Sequence, residues 1–224
     1  MGLKLKDLRP WGRNLKEYYK MFNLKTLPDR VLDVASGPAA FNFQARLLGY
    51  KVTSLDPIYD LKKSEIEQSI AQSQEEIGKG IRDSQDEFIW EQYPSPEALI
   101  HTRLQAMGEF LKDFEEGKKE GHYVAGSALS LPFTDHSFGL CLSSHFLFLY
   151  SEQLDFDFHT KAIAEMMRVA KETRIYPLID LVGKQSRHLD KVIIHLKAQG
   201  FKAELKPTDY RFQRGATEYL SISH

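Results

Sequence analysis

The sequence predicts a doubly wound α/β fold: a mostly parallel seven-stranded sheet with a C-terminal antiparallel strand pair and a helical insertion after the second strand. An apolar run, VLDV at 31–34, leads through a helical pattern to a second strand, KVTSLD at 51–56. A strand, a helix and a strand in so short a segment form a right-handed crossover unit. The 224 residues suit a single domain, 1–224, with the insertion at 61–120.

The helix of this crossover unit is bounded by two typical residues. Pro38 is predicted at its first position, where a missing N–H is no loss, and Gly49 is predicted as its stop. Ahead of the first strand, apolar residues three to four positions apart predict another helix over 11–23.

The insertion has the pattern of a helical hairpin. Its first half carries one narrow apolar stripe that Gly78 and Gly80 weaken, formed by Ile66, Ile70, Ile77, Ile81 and Phe88. Its second half begins at Ser95 as N-cap, with Pro96 at the first helical position. A surface appendage would explain such a hairpin, but a segment leaving the carboxyl end of a strand is favoured as a lid, because parallel sheets bind ligands at that edge.

The alternation of strands and helices resumes after the insertion. A helix capped by Asp157 and running to about Lys171 is predicted, and a later one over Ser186–Gln199. Pro177 falls inside a predicted strand, where we expect a bulge, because proline cannot donate to the ladder. The predicted strands are HYVAGS at 122–127, GLCLSS at 139–144, RIYPLIDL at 174–181, FKAELK at 201–206 and TEYLSIS at 217–223.

Two acidic residues flank the first strand–helix turn. Asp33 lies inside an apolar strand and needs partners, for which the free amides of the turn are the nearest donors. Gly37 permits a close ligand approach, and Asp56 ends the next strand, where a carboxylate can accept both ribose hydroxyls of a nucleoside. The spacing of the two acids alone is compatible with two interpretations: a nucleoside-binding site, or two acids that merely cap turns.

The turn VLDVASGPAAF resembles the first motif, D-x-G-x-G-x-G, of class I S-adenosylmethionine-dependent methyltransferases. Asp33 matches the acid, whereas Ala35, Gly37 and Ala39 match the three glycines. The segment LDPIY at 55–59 resembles the acidic end of the family's second strand.

Two later segments extend the resemblance. The segment at 125–150 is similar to the family's D-A-x-x-L-P-F-x-D-x-S-F-D, and IAEMMRVAKETRIYPL at 163–178 is similar to its E-x-x-R-V-L-K-P-G-G. Four motifs thus occur in order, outside 61–120. The chain differs from the family's pattern at two of these positions. Ser127 stands where an aspartate commonly hydrogen-bonds the adenine, and Gly139 stands where an acid is common.

The resemblance implies S-adenosyl-L-methionine as the cofactor. It would lie over Gly37, with its ribose at Asp56 and its methionine portion near Ser144, while Asp33 would orient the turn and help to hold the amino-acid moiety. The implied cofactor-binding residues are Asp33, Ala35, Ser36, Gly37, Asp56, Pro57, Ile58, Ser127, Ala128, Leu129 and Ser144.

His145 is the candidate catalytic residue. It follows the fourth strand, where the resemblance directs the methyl group, and a histidine there could act as a base near neutral pH. A structural histidine, hydrogen-bonded within the loop, is the alternative. No spacing of histidine, cysteine or acid suggests a metal site. The nearby aromatic residues could line an apolar acceptor pocket or belong to the core.

Composition narrows the partners. Thirty Lys+Arg nearly balance 31 Asp+Glu, so the net charge supplies no global attraction to nucleic acid or to an anionic membrane surface. Together with the resemblance, this leads us to expect a small-molecule acceptor as partner, and neither nucleic acid nor a membrane. Cys141 is the single cysteine, and the N-terminus lacks the apolar core of a secretory signal, so we expect a cytoplasmic protein. The oligomeric state stays open.

We therefore expect methyl transfer to a small or medium organic acceptor. The alternative is a non-catalytic binding module that acts through its helical insertion. A nicotinamide-binding domain is the weaker reading, since ASGPAA does not supply G-x-G-x-x-G.

Overall fold

A computed structural model describes residues 11–224, and the first ten residues, on which the expectation about a secretory signal partly rests, lie outside that range. The strands are β1 Arg30–Val34, β2 Lys51–Leu55, β3 Tyr123–Val124, β4 Leu140–Ser144, β5 Glu172–Tyr176, β6 Lys202–Pro207 and β7 Glu218–Ser223. The α-helices are α1 Leu15–Met21, α2 Phe41–Leu47, α3 Lys63–Asp83, α4 Pro96–Lys119, α5 Phe156–Val169 and α6 Leu189–Ala198.

The seven strands form one sheet in the order β3-β2-β1-β4-β5-β7-β6. Neighbours from β3 to β5 pair in parallel, whereas β7 is antiparallel to both β5 and β6. The predicted fold class is confirmed. The strand order reverses between β1 and β4, and in open α/β sheets the crevice at such a point binds ligands.

Side chains of β1 alternate between the two faces of the sheet. Leu32 and Val34 pack with α5 and α6 on one face. Val31 packs on the other face with α1 and α2, where Tyr18 stacks on Phe41 at a centroid distance of 4.0 Å. The central strands are therefore covered on both sides, which explains their nearly continuous apolar sequences.

Several predicted boundaries shift. The second helix begins at Phe41 instead of Pro38, because residues 36–40 stay in an irregular turn. The expected bulge at Pro177 is wrong, since β5 ends at Tyr176 and the proline follows it without breaking the ladder. The cap of α5 is Asp155, whose Oδ1 accepts from the Phe158 amide at 2.8 Å, and not Asp157.

Two more predicted elements prove shorter. The third strand is limited to Tyr123–Val124 because the chain then leaves the sheet, and the last helix begins at Leu189 rather than Ser186. The Ser186 side chain instead bonds the Ser151 hydroxyl at 2.6 Å and the His188 amide at 3.2 Å, which holds it in the preceding loop.

The insertion is a pair of packed helices, as predicted. α3 runs unbroken through both glycines and ends at Asp83, so Phe88 lies beyond it and stacks instead on Phe212, 4.7 Å between ring centroids. α4 begins as predicted, with the Ser95 hydroxyl accepting from the Ala98 amide at 3.2 Å. Tyr59 and Tyr123 of the sheet edge pack against the hairpin in one apolar cluster.

A buried ion pair ties the hairpin to the rest of the protein. Arg103 of α4 contacts Glu17 of α1, with side-chain exposures of 1% and 4%. The same carboxylate oxygen accepts from the hydroxyls of Tyr93, at 2.5 Å, and Tyr210, at 2.9 Å. Burial opposes ionisation, yet the adjacent Arg103 lowers the pKa of Glu17 to about 2. Four separate chain segments thus meet at one carboxylate.

Removing one member of this pair should destabilise the fold strongly. In Arg103→Met the Glu17 charge stays buried without its partner, which typically costs about 3–5 kcal/mol. Urea unfolding of the variant and the wild type measures the difference. Arg82→Met is the matched control, because the Arg82–Glu97 pair is exposed at 51% and 65% and is expected to contribute less than about 1 kcal/mol. Equal effects of the two substitutions would contradict the assignment.

Candidate functional site

A cavity of about 630 Å³ opens at the carboxyl edge of the sheet. Its volume falls in the range of about 300–1,000 Å³ that is usual for small-molecule sites. The structure brings into its wall residues from four distant segments that sequence reasoning singled out. Those residues are Ala35, Ser36, Gly37, Asp56, Pro57, Ile58, Ser127, Ala128, Leu129, Ser144 and His145.

The turn after β1 is held by the end of β2. The Ala35 amide donates to the Leu55 carbonyl at 2.8 Å, and the Gly37 amide donates to Asp56 Oδ2 at 2.8 Å. Ala35 and Gly37 both have a φ of 57°, a left-handed conformation that favours glycine. A Cβ on Gly37 would meet no atom within 4 Å, so open space lies directly beside its backbone.

Asp56 links this turn to the segment after β2. Its second oxygen, Oδ1, accepts from the Ile58 amide at 2.9 Å. Burial raises the pKa of Asp56 to about 6, against the opposing effect of its two amide donors. Each carboxylate oxygen retains one lone pair, so the side chain can still accept ligand hydroxyls from the cavity.

Asp33 lies behind the turn and is not part of the cavity wall. The expected amide donors are wrong, because those amides bond to Leu55 and Asp56. Hydroxyls take their place: Tyr18 donates to Asp33 Oδ2 at 2.9 Å and Ser36 donates to it at 2.5 Å. Burial raises the pKa of Asp33 to about 7.

Packing explains two departures from the resembled motifs. Ala39 is buried in the core beneath the turn and does not line the cavity. A Cβ on Gly139 would lie 2.8 Å from the Pro28 Cβ, so no larger residue fits there. Ser127 does line the cavity, and its hydroxyl accepts from the Leu129 amide at 3.2 Å.

Glu165 and Arg168, which belong to the last of the resembled motifs, hydrogen-bond the loop beside the cavity. Arg168 donates to the carbonyls of Leu131 and Phe133, at 2.9 and 2.8 Å, and to Asp135 at 2.8 Å. Glu165 accepts from the Leu131 amide at 2.9 Å. These bonds fix the loop that follows residues 127–129, so the motif residues position the wall without entering it.

His145 stands at the end of β4 with a left-handed backbone, φ 56°. Its Nδ1 lies 2.8 Å from the Ser144 hydroxyl, which in turn donates to the sulfur of Met21 at 3.6 Å. Burial, together with the charges of Arg13 and Arg103, lowers the pKa of His145 well below its usual range. The imidazole is therefore neutral at neutral pH.

Sequence reasoning missed two parts of the wall. Arg13 lies in it beside His145, and burial followed by the Arg103 charge lowers the pKa of Arg13. An arginine shortly before a helix carries no sequence signal. The other part is apolar and comes from α3, α4 and two distant loops: Ile66, Ile77, Ile81, Leu99, Leu149 and Phe212. Sequence periodicity identified the α3 face, but not what it covers.

Across residues 11–224, no three histidine, cysteine or acidic side chains come together in a way that could hold a metal ion. None of the helices in this range is long and apolar enough to cross a membrane.

Comparisons with known proteins agree with this geometry. A family model described as a methyltransferase domain matches residues 97–174, from α4 into β5. The uncharacterized protein MJ0045 of Methanocaldococcus jannaschii is 34% identical over 223 residues, covering 98% of each chain. Two structures of the glycopeptide N-methyltransferase MtfA, with S-adenosylmethionine or sinefungin, are 12% identical, with a TM-score of 0.51 over 93% of this chain and 86% or 92% of theirs.

The fold and the cavity define a Rossmann-like α/β protein with a crevice at the switch point of its sheet. Over nearly its whole length the chain belongs to one family with MJ0045, and its fold is that of the class I S-adenosylmethionine-dependent methyltransferases. S-adenosylmethionine is the cofactor of the methyltransferase domain that matches residues 97–174.

The buried Asp33 carboxyl should make stability depend on pH. Between pH 4 and its raised pKa of about 7, the folded protein keeps a proton that the unfolded chain has lost. Stability attributable to this group therefore falls as pH rises through that window, by about 1.4 kcal/mol per pH unit, and then levels off. The side chain of Asp33→Asn cannot ionise, so the free energy of unfolding of this variant should rise relative to that of the wild type over the same pH window.

Urea unfolding of both proteins at pH 5 and pH 7.5 checks this expectation. The stability difference between variant and wild type should shift in favour of the variant at the higher pH. Parallel stability curves would mean that Asp33 ionises as readily in the folded protein as in the unfolded chain.

Proposed function

We propose that the protein transfers a methyl group from S-adenosylmethionine to a small or medium organic acceptor in this cavity. The convergence of four sequence-distant segments on one cavity at the switch point of the sheet carries the proposal. The methyltransferase domain matched at residues 97–174 supports the reaction type. We further propose that the chain acts as one domain, with residues 61–120 as a lid.

The residues around the turn fit the cofactor. Open space beside Gly37 admits a ligand against the backbone, and Asp56 has acceptor capacity left for ribose hydroxyls. Apolar contacts for an adenine come from Pro57, Ile58 and Leu129, with the hydroxyl of Ser127 at the same wall. Asp33 would act through Ser36, by fixing the shape of the turn.

When bound, the cofactor supplies an electrophilic methyl group on a sulfonium with a neutral leaving group. The protein's contribution is then to orient the acceptor and exclude water. His145 is neutral, so its imidazole has a lone pair that can accept a proton from the acceptor, and the burial that keeps it neutral also makes it a weaker base than an exposed histidine. The Ser144 hydroxyl donates to the sulfur of Met21, so its oxygen is free to accept a hydrogen bond from Nδ1–H of His145. In this tautomer the lone pair of Nε2 is available for the proton transfer.

The acceptor portion of the cavity is apolar. Isoleucines of α3 line it together with Phe146, which follows β4, and Phe158 of α5. Such walls fit the body of an apolar organic molecule. The non-catalytic alternative rested on altered motif positions, and the packing of Ala39 and Gly139 accounts for two of them, so no observation favours it.

Calorimetric titration with S-adenosylmethionine and S-adenosylhomocysteine tests the proposal. Both should bind, and Asp56→Ala should weaken S-adenosylhomocysteine about 10- to 100-fold, the usual effect of losing hydrogen bonds to a charged group. Asp60→Ala, four residues further on and exposed, is the matched control and should bind as the wild type does. Absence of binding by the wild type at millimolar concentration would refute the methyltransferase proposal.

The lid role has its own test, hydrogen exchange with and without saturating S-adenosylhomocysteine. Amides of α3 should exchange more slowly in the complex, because Ile66, Ile77 and Ile81 line the cavity and opening the hairpin would expose the ligand. Amides of α6, on the opposite face of the sheet, are the internal control. Identical exchange of α3 in the two states would refute the lid.

A further inference from the structure

Arg13 places a cation in the cavity wall that the described chain leaves unneutralised. The residue stands just ahead of α1, and its side chain lines the cavity. Its Nη1 donates to the Trp11 carbonyl at 3.0 Å, and its Nε is buried without any partner. Within residues 11–224, no carboxylate forms an ion pair with it.

The nearest acid cannot serve as that partner. Glu17 lies one helical turn away, but its Oε1 already accepts from Arg103, Tyr93 and Tyr210. Its Oε2 accepts from the Asn14 amide at 2.9 Å. Two guanidinium groups therefore share the field of one carboxylate, and the cluster carries one excess positive charge in a largely buried setting. Such an excess is costly unless a ligand compensates it.

The position of Arg13 is fixed relative to the turn after β1. A Cβ on the preceding Gly12 would lie 2.0 Å from the Pro38 carbonyl oxygen, so the two backbones are in direct contact. The two acids near the turn are engaged elsewhere: Asp33 with hydroxyls and Asp56 with amides. The cation thus faces the same space as Gly37 and His145, with no acid of the cavity paired to it.

We propose that Arg13 is a carboxylate-binding residue of this cavity. A guanidinium presents two parallel N–H donors that match the two oxygens of a carboxylate, and its free Nε belongs to that edge. Two molecules can supply the group: the methyl donor, through its amino-acid carboxylate, or an apolar acceptor that carries an acid. The inference rests on the proposed function in assuming that both share this cavity.

The first arm of the test compares two nucleosides by calorimetry. S-adenosylhomocysteine carries the amino-acid carboxylate, and 5′-methylthioadenosine keeps the adenosine and the thioether without it. If the donor supplies the group, Arg13→Gln weakens S-adenosylhomocysteine about 10- to 100-fold and leaves methylthioadenosine unchanged. Arg13→Lys, which keeps the charge but not the fork, should fall between, and the exposed Arg211→Gln should match the wild type.

The second arm saturates the protein with S-adenosylhomocysteine and titrates octanoate against octanol. If the acceptor supplies the group, the wild type prefers octanoate, and Arg13→Gln loses that preference while octanol binding is unchanged. Thermal unfolding of each variant checks that it is folded.

The proposal is overturned if Arg13→Gln keeps both preferences of the wild type. These are the preference for S-adenosylhomocysteine over methylthioadenosine and the preference for octanoate over octanol. Failure of the proposed function is a different result, in which the wild type binds neither nucleoside. In that case octanoate and octanol are titrated against the free protein. If the wild type prefers octanoate and Arg13→Gln does not, the carboxylate site at Arg13 is still supported. If the wild type shows no preference, the proposal is overturned.

Discussion

The buried contact between Glu17 and Arg103 is the constraint on which the cavity depends. The sheet and its crossovers would form without it, because they are held by their own ladders and apolar faces. The hairpin has no such ladder to the sheet. It packs against the sheet edge through Tyr59 and Tyr123, and its buried ion pair joins it to α1 at one carboxylate, which also accepts from the hydroxyls of Tyr93 and Tyr210. This contact helps to hold α4 against α1, and these two parts of the chain contribute Leu99 and, just ahead of α1, Arg13 to the cavity wall.

The sequence predicted the sheet and the turn because their signals are local. A buried strand, a glycine and an acid at the next strand end lie within 26 positions of one another, from Val31 to Asp56. Eleven of the twelve residues singled out for cofactor binding or catalysis line one cavity. The twelfth, Asp33, is fully buried behind the turn, where its carboxylate accepts from the hydroxyls of Tyr18 and Ser36.

What the sequence did not predict depends on distant pairs. Glu17 and Arg103 are 86 positions apart, and Glu17 and Tyr210 are 193 apart. No periodicity marks such partners, and each taken alone resembles an ordinary charged or aromatic residue on a helix or loop. The displaced starts of α2 and α6 have a related cause, because side-chain and turn contacts with other segments outweigh the local helix signal there.

The contact between Gly139 and Pro28 couples two positions that no motif connects. Proline occupies the volume into which a side chain at 139 would project, with only 2.8 Å from its Cβ to the place of a new one. An acid at position 139, as the resembled motif has it, therefore requires a smaller or displaced residue at position 28. Among relatives of this protein the two sites should change together, so a departure from a catalytic-looking pattern can record a neighbour's shape and leave the chemistry untouched.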